Sequence, residues 1–209
     1  MITLLAGAVV VAGCTNTATS AGTSARPAST AGSAAIGTLG PPTSGGPAAN
    51  ATAPDDTTPI SLDSSLLAVL PERLGDIAVA EDNDQAAIAL SDPALPHIAT
   101  AVDAAVAVDA ANGNLVYAWV VKLRPGALTA DAFRQWRDSY DDGACAASGG
   151  VIGAAEAELG GRTTYIGSCA AGLRTYHVWL EEADVLVSAA SIGEGRFGEA
   201  LIAGLREPS

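Results

Sequence analysis

Ala105-Val106-Ala107-Val108-Asp109-Ala110-Ala111-Asn112-Gly113-Asn114-Leu115-Val116-Tyr117-Ala118-Trp119-Val120-Val121-Lys122-Leu123 is the stretch on which the fold turns. Two β-prone runs, 105–109 and 115–123, flank Asn112-Gly113, the dipeptide that best tolerates positive φ at both positions of a hairpin turn. In the second run Tyr117, Trp119, Val121 and Leu123 share one face, and Val116, Ala118 and Val120 the other. Apolar residues on both faces predict a central strand covered on both sides, and Pro125-Gly126 ends it.

Downstream, Thr129 offers a helix N-cap and Asp131 a carboxylate in the first turn, where the helix dipole favours it. Phe133, Trp136 and Tyr140 then form an aromatic stripe, with Arg137 at its edge and Arg134 and Asp138 off it. Gly143 is expected to close this helix, leaving Cys145 just past it. Four short strands follow, 151–158, 163–168, 173–180 and 185–191, with Gly160-Gly161, Ala170-Ala171-Gly172 and 182–184 between them. Such short connections imply antiparallel neighbours. A last helix over 196–205 places Phe197, Leu201 and Leu205 on one face. Upstream, 61–80 reads as a short helical turn and a loop, and 82–90 and 94–104 read as helices broken at Asp92-Pro93. The expected fold class is α+β, an antiparallel sheet of about five or six strands backed by helices.

Ahead of this domain the composition changes. Residues 15–58 are almost entirely Ala, Thr, Ser, Gly, Pro and Asn, with too little apolar surface to offset the entropy of ordering a chain. Residues 4–12 are an apolar run, far short of the roughly 20 residues that span a bilayer as a helix. Followed by small residues, the run reads as a signal-peptide core and cleavage site. Val11-Ala12-Gly13-Cys14 resembles the lipobox of bacterial lipoproteins. The resemblance implies cleavage before Cys14 and a diacylglycerol, with its palmitate-type chains, on the Cys14 thiol. It divides the chain into a signal peptide over 1–13, a lipid-anchored flexible stalk over 14–59 and a single domain over 60–209. Signal peptides ordinarily open with Lys or Arg. None precedes Arg26, so translation is expected to start upstream of Met1.

Only Arg26, Asp55 and Asp56 are charged before Ile60, so the formal charge of −13 sits almost wholly in the domain. That excess argues against nucleic acid, which requires basic patches to displace counterions. It also argues against a face lying flat on anionic lipid, and it suits solubility or a cationic partner. With Cys14 lipidated, Cys145 and Cys169 remain as an even pair, read as a disulfide in an oxidising compartment. The alternative is a metal site, but two thiols and two histidines at scattered spacing match no zinc pattern.

Motifs that carry chemistry are sparse. Gly193-Glu194-Gly195-Arg196-Phe197-Gly198 spells G-x-G-x-x-G, yet no second parallel strand and no acidic residue about 20 positions on can follow it, as a dinucleotide site requires. Close strand–helix packing is the reading adopted. The segment from Asp138 has Tyr140 and Gly149 where a calcium loop needs Asp or Asn and Glu, and Glu81-Asp82-Asn83-Asp84 reads as a helix start. No cofactor or metal is expected. His97, after Pro96, reads as a solvated side chain. Strand parity puts His177 with Thr175 and Trp179. His177 and Trp179 together form either a ligand-facing pair or a packed pair with a polar tip. The members of a Ser-His-Asp set need only converge in space, but no G-x-S-x-G elbow and no S-x-x-K around Lys122 is present.

The order of elements over the last 90 residues or so resembles the small α+β sandwiches of some actinobacterial lipoproteins, including the PsbP-like group. It is a likeness of fold, and it carries no functional residues across. The expectation is a lipoprotein on the outer face of the cell membrane, held by the lipid on Cys14. Its domain binds a small ligand or an envelope protein, or serves as an accessory, without catalysis. The alternative is a small envelope hydrolase using a carboxylate pair or His177.

Overall fold

The computed structural model describes residues 59–208. The signal peptide, Cys14 and all of the stalk but its last residue lie outside the described residues. In chain order the domain opens with β1 (Ser61–Leu62), a 3-10 helix (Ser64–Val69), the strand pair β2 (Arg73–Leu74) and β3 (Ile77–Ala78), and β4 (Ala80–Glu81). Helices α1 (Asn83–Leu90) and α2 (Leu95–Ile98) lead into the hairpin of β5 (Ala99–Asp109) and β6 (Asn114–Leu123). Then come α3 (Ala130–Ala146), β7 (Val151–Leu159), β8 (Arg162–Cys169), β9 (Arg174–Leu180), β10 (Val185–Ile192) and α4 (Phe197–Ala203).

The main sheet has eight strands in the order β1-β5-β6-β10-β9-β8-β7, with β4 also paired to β5. It is larger than the five or six strands expected, and it is mixed, because β1 runs parallel to β5. The extra strands come from 61–81, which read as a turn and loop. Each is two residues long, too short to leave an alternating pattern of its own, and each exists because β5 offers an edge. The last strand, β10, returns beside β6 over eight paired positions from Val185↔Lys122 to Ile192↔Leu115. That pairing joins the hairpin and the four-strand meander into one sheet.

The predicted helix over 94–104 is corrected: only Leu95–Ile98 is helical, and β5 begins at Ala99. The Ala-rich composition favours helix locally. The pairing of Ala101–Asp109 with β6 overrides it, after a register shift between Ala99 and Ala101. The hairpin itself is where the sequence places it, but its turn differs. Four residues, 110–113, connect the paired Asp109 and Asn114. Only Gly113 takes positive φ, at 67°, while the Asn112 N–H bonds back to the Asp109 carbonyl at 3.2 Å. This is a longer loop closed by a left-handed glycine, not a two-residue turn.

Helices cover both faces of the sheet, as the two apolar faces of β6 demand. On one side the 3-10 helix and α4 bring Leu70, Leu201 and Ile202 onto Val116, Val120, Val178 and Val187. On the other, α1 and α3 bring Ala86, Phe133 and Tyr140 onto Val102, Trp119, Leu123 and Leu186. α3 starts on Thr129, whose side chain accepts from the Ala132 N–H at 3.2 Å. It does not stop at Gly143. It runs to Ala146, where the buried Cys145 is bonded to Cys169 on β8. A single glycine costs a helix only about 1 kcal/mol, which the covalent tie at the final turn outweighs.

The glycine-rich segment before α4 is packing chemistry, as read. The Gly195 N–H donates to Asn114 Oδ1 at 2.7 Å, and a side chain on Gly198 would enter the ring of Tyr176. Glu199 in the first turn of α4 receives Arg174 at 2.9 Å. Burial works against its charge, but bonds from its own backbone N–H, Tyr176 and Arg196 hold its carboxyl below the ordinary value.

Candidate functional site

On the α3 side of the sheet one row of side chains crosses six strands in register: Ala104, Trp119, Ser188, His177, Tyr165 and Glu156. The next row includes Thr175 on β9, Gly167 on β8 and Ala154 on β7. Three polar side chains on this face, Thr175, His177 and Ser188, are buried. Such groups need partners, because an unsatisfied buried donor or acceptor costs about 1–3 kcal/mol.

Asp141 supplies the partner. It follows Tyr140 on α3, and its carboxylate reaches down over Gly167. Asp141 Oδ1 accepts from Thr175 Oγ1 at 2.5 Å and lies 2.8 Å from His177 Nε2. His177 Nδ1 stands 3.3 Å from Ser188 Oγ. In the neutral ring, the proton on Nε2 goes to the carboxylate and Nδ1 accepts from the Ser188 hydroxyl. Gly167 is required here: a Cβ at that position would lie against Thr175 Oγ1 and the Asp141 carboxylate. The rings of Trp136 and Tyr140 meet His177 edge-on, with centroids 5.4 and 5.0 Å away. Burial, and then the neighbouring Asp141 charge, pushes the Tyr140 hydroxyl well above its ordinary range.

The structure therefore brings together Ser188, His177 and Asp141, residues of the types used in acyl transfer. All three are buried in this arrangement. His177 is 0 % exposed and Ser188 3 %, and both ring nitrogens are already engaged. A substrate carbonyl must approach the serine oxygen while donors converge on the developing oxyanion. Strand β10 is central, and the Trp136 and Tyr140 rings of α3 close over His177, so that approach would require the helix to lift.

The two residues proposed as a ligand-facing pair separate in environment. His177 is sealed beneath α3. Trp179 is half-buried, its ring 5.9 Å from Phe133, and its indole Nε1–H has no hydrogen-bond partner among the described residues. His97 is exposed on α2. Asp82 caps α1 by accepting from the Gln85 N–H at 3.1 Å, which accounts for one residue of the acidic cluster. Among the described residues no group of three or more His, Cys, Asp or Glu is arranged to hold a metal. No helix there is long and apolar enough to cross a membrane.

Sequence reasoning missed Asp141 and Ser188, and placed Thr175 only by its shared parity with His177. A signal existed: Thr175, His177 and Ser188 all fall on the strand parity that α3 covers, so the helix had to supply a polar partner. Asp141 lies four residues after Arg137, at the flank of the aromatic stripe.

An open groove of about 430 Å³ adjoins this buried set, between α3, the edge strand β7 and its neighbour β8. Arg134, Arg137 and Asp141 line it from the helix, and Ala154, Glu156 and Tyr165 from the strands. The Arg137 guanidinium lies over the Tyr165 ring, 4.6 Å from its centre, and pairs with Asp138 at 2.8 Å. Arg134 pairs with Asp131, and both are exposed. No family model, curated protein or solved structure matches the chain.

Proposed function

We propose that this chain is a lipid-anchored protein of the outer face of a bacterial membrane, and that its domain binds a ligand or an envelope partner without catalysing a reaction. The observation that carries the reading is the disulfide between Cys145 and Cys169. Such bonds persist in oxidising compartments, in agreement with an exported chain whose Cys14 follows Val11-Ala12-Gly13. The polar stretch after Cys14 fits a tether of the random-coil kind. The buried set supports the absence of catalysis: both His177 ring nitrogens are engaged, by Asp141 and Ser188, and the ring is 0 % exposed. The groove between α3 and β7 lies within the 300–1,000 Å³ range of small-ligand sites.

Metabolic labelling with an alkyne fatty acid tests the anchor. The wild-type chain expressed in its host is expected to take up label and to sediment with membranes, whereas Cys14→Ser is expected to do neither. Equal labelling of the two chains contradicts the anchor.

A further inference from the structure

We propose that the groove between α3 and the sheet edge binds a dipolar ligand, a short peptide with both charged ends free, lying extended along β7. Such a site presupposes the binding role proposed above and names its ligand class.

Three observations converge on it. First, the groove carries both signs of charge. Arg134 and Arg137 stand on the helix wall, three residues apart and so about 4.5 Å along the axis. Glu156 stands on β7, and Asp141 at the floor. A purely anionic ligand would meet the two carboxylates, and a purely cationic one the two guanidiniums. A ligand with a carboxylate at one end and an ammonium at the other satisfies all four.

Second, the present carboxylate partners of the arginines can give way. Asp131 and Asp138, the present partners of the two arginines, are 80 % and 65 % exposed. The Arg134–Asp131 pair, exposed on both sides, contributes about 0–1 kcal/mol, so a ligand carboxylate exchanges with Asp131 at little cost, whereas Arg137 is itself 18 % exposed. The Tyr165 ring already orients the Arg137 guanidinium. Asp141 takes both of its internal hydrogen bonds on Oδ1. It stands over Gly167, whose partner on β7 is Ala154. Glu156 lies two residues along β7 from Ala154, about 7 Å, and is the exposed one of the groove's two carboxylates, Asp141 being 6 % exposed.

Third, β7 has an unpaired edge. It hydrogen-bonds only to β8 and ends the sheet. Residues 151–156 are exposed throughout, and the strand has no Lys or Pro to block pairing. An extended peptide adds to such an edge through its main chain, while its termini select the charged wall. Three residues reach about 10 Å, which sets the length of the probe. A second copy of β7 is a poorer occupant, because Glu156 and Glu158 would face their own duplicates.

The test is calorimetric titration of the full chain carrying Cys14→Ser with three probes: trialanine with free termini, its N-acetyl form and its C-terminal amide. Free trialanine is expected to bind saturably, and blocking either end to weaken binding about tenfold, as for loss of a charge-assisted hydrogen bond. Arg137→Gln is expected to abolish the difference between the free and amidated peptides. Glu156→Gln is expected to abolish the difference between the free and acetylated ones. Should Arg137→Gln melt early because the Tyr165 stack is lost, the exposed Arg134→Gln carries the same comparison. No saturable heat at millimolar peptide, equal affinity for all three probes, or unchanged discrimination in the variants overturns the site. Fatty-acid labelling at Cys14 is independent of these outcomes, so the anchored reading survives the loss of this one.

Discussion

Asp141→Ala is expected to destabilise the domain by about 2–6 kcal/mol, the cost of leaving two buried donors without their acceptor. The carboxylate is the acceptor for both Thr175 Oγ1 and His177 Nε2. Its removal strands two donors beneath α3, each costing about 1–3 kcal/mol, and no solvent reaches His177 to replace it. At roughly 2–4 °C per kcal/mol for a domain of this size, the melting temperature falls by roughly 4–24 °C in scanning calorimetry. Ser188→Ala, which removes only the partner of Nδ1, is expected to cost about 1 kcal/mol. A variant Asp141→Ala that melts within 2 °C of wild type contradicts the claim that this carboxylate pins α3 to the sheet.

Loss of the disulfide is the second large effect. Cys145 and Cys169 are 24 residues apart, and in the chain-entropy model closing a loop of that length is worth about 3.5 kcal/mol. The bond ties the last turn of α3 to β8 at the end of the helix nearest Asp141, so it also restrains the element that carries the carboxylate. Cys145→Ala with Cys169→Ala is expected to lower the denaturant midpoint and to raise its slope, since the unfolded chain expands when the cross-link goes. An unchanged midpoint would show that the native state gains nothing from the closure. Both sulfur-bearing residues are buried, so reductant is expected to act on the folded protein only as fast as the α3 end opens.

The parts of this fold legible in the sequence are those where local pattern and tertiary demand agree. Strand β6 announced itself through apolar residues on both parities, and both faces are covered. Phe133, Trp136 and Tyr140 gave α3 its buried face, and the glycine punctuation placed β7 to β10 within a residue or two. The misread stretches are those where a partner decides. Residues 99–104, three of them Ala, read as helix and become a strand because β6 pairs with them. Residues 61–62 and 80–81 are strands only because β5 has an edge to lend. Gly143 reads as a stop that the bonded Cys145 overrides. At the candidate site, His177 and its parity with Thr175 were legible. Asp141 was not, since its role depends on the close approach that Gly167 permits, and a glycine across a strand leaves no periodic trace. The groove was equally hidden: Arg134, Arg137 and Glu156 belong to separate elements and meet only in the tertiary structure.

Burial of the Ser188–His177–Asp141 set underlies both the non-catalytic reading and the stability expected of α3. The most direct measurement is the reaction of the native full chain with diethyl pyrocarbonate, with the two histidines followed separately by mass spectrometry. His97 is exposed on α2 and His177 is 0 % exposed beneath α3. Prompt modification of His97, with His177 reacting only once denaturant unfolds the domain, is the result expected. Modification of both at similar rates in the folded protein would open the set to solvent and to substrate, and would contradict the account.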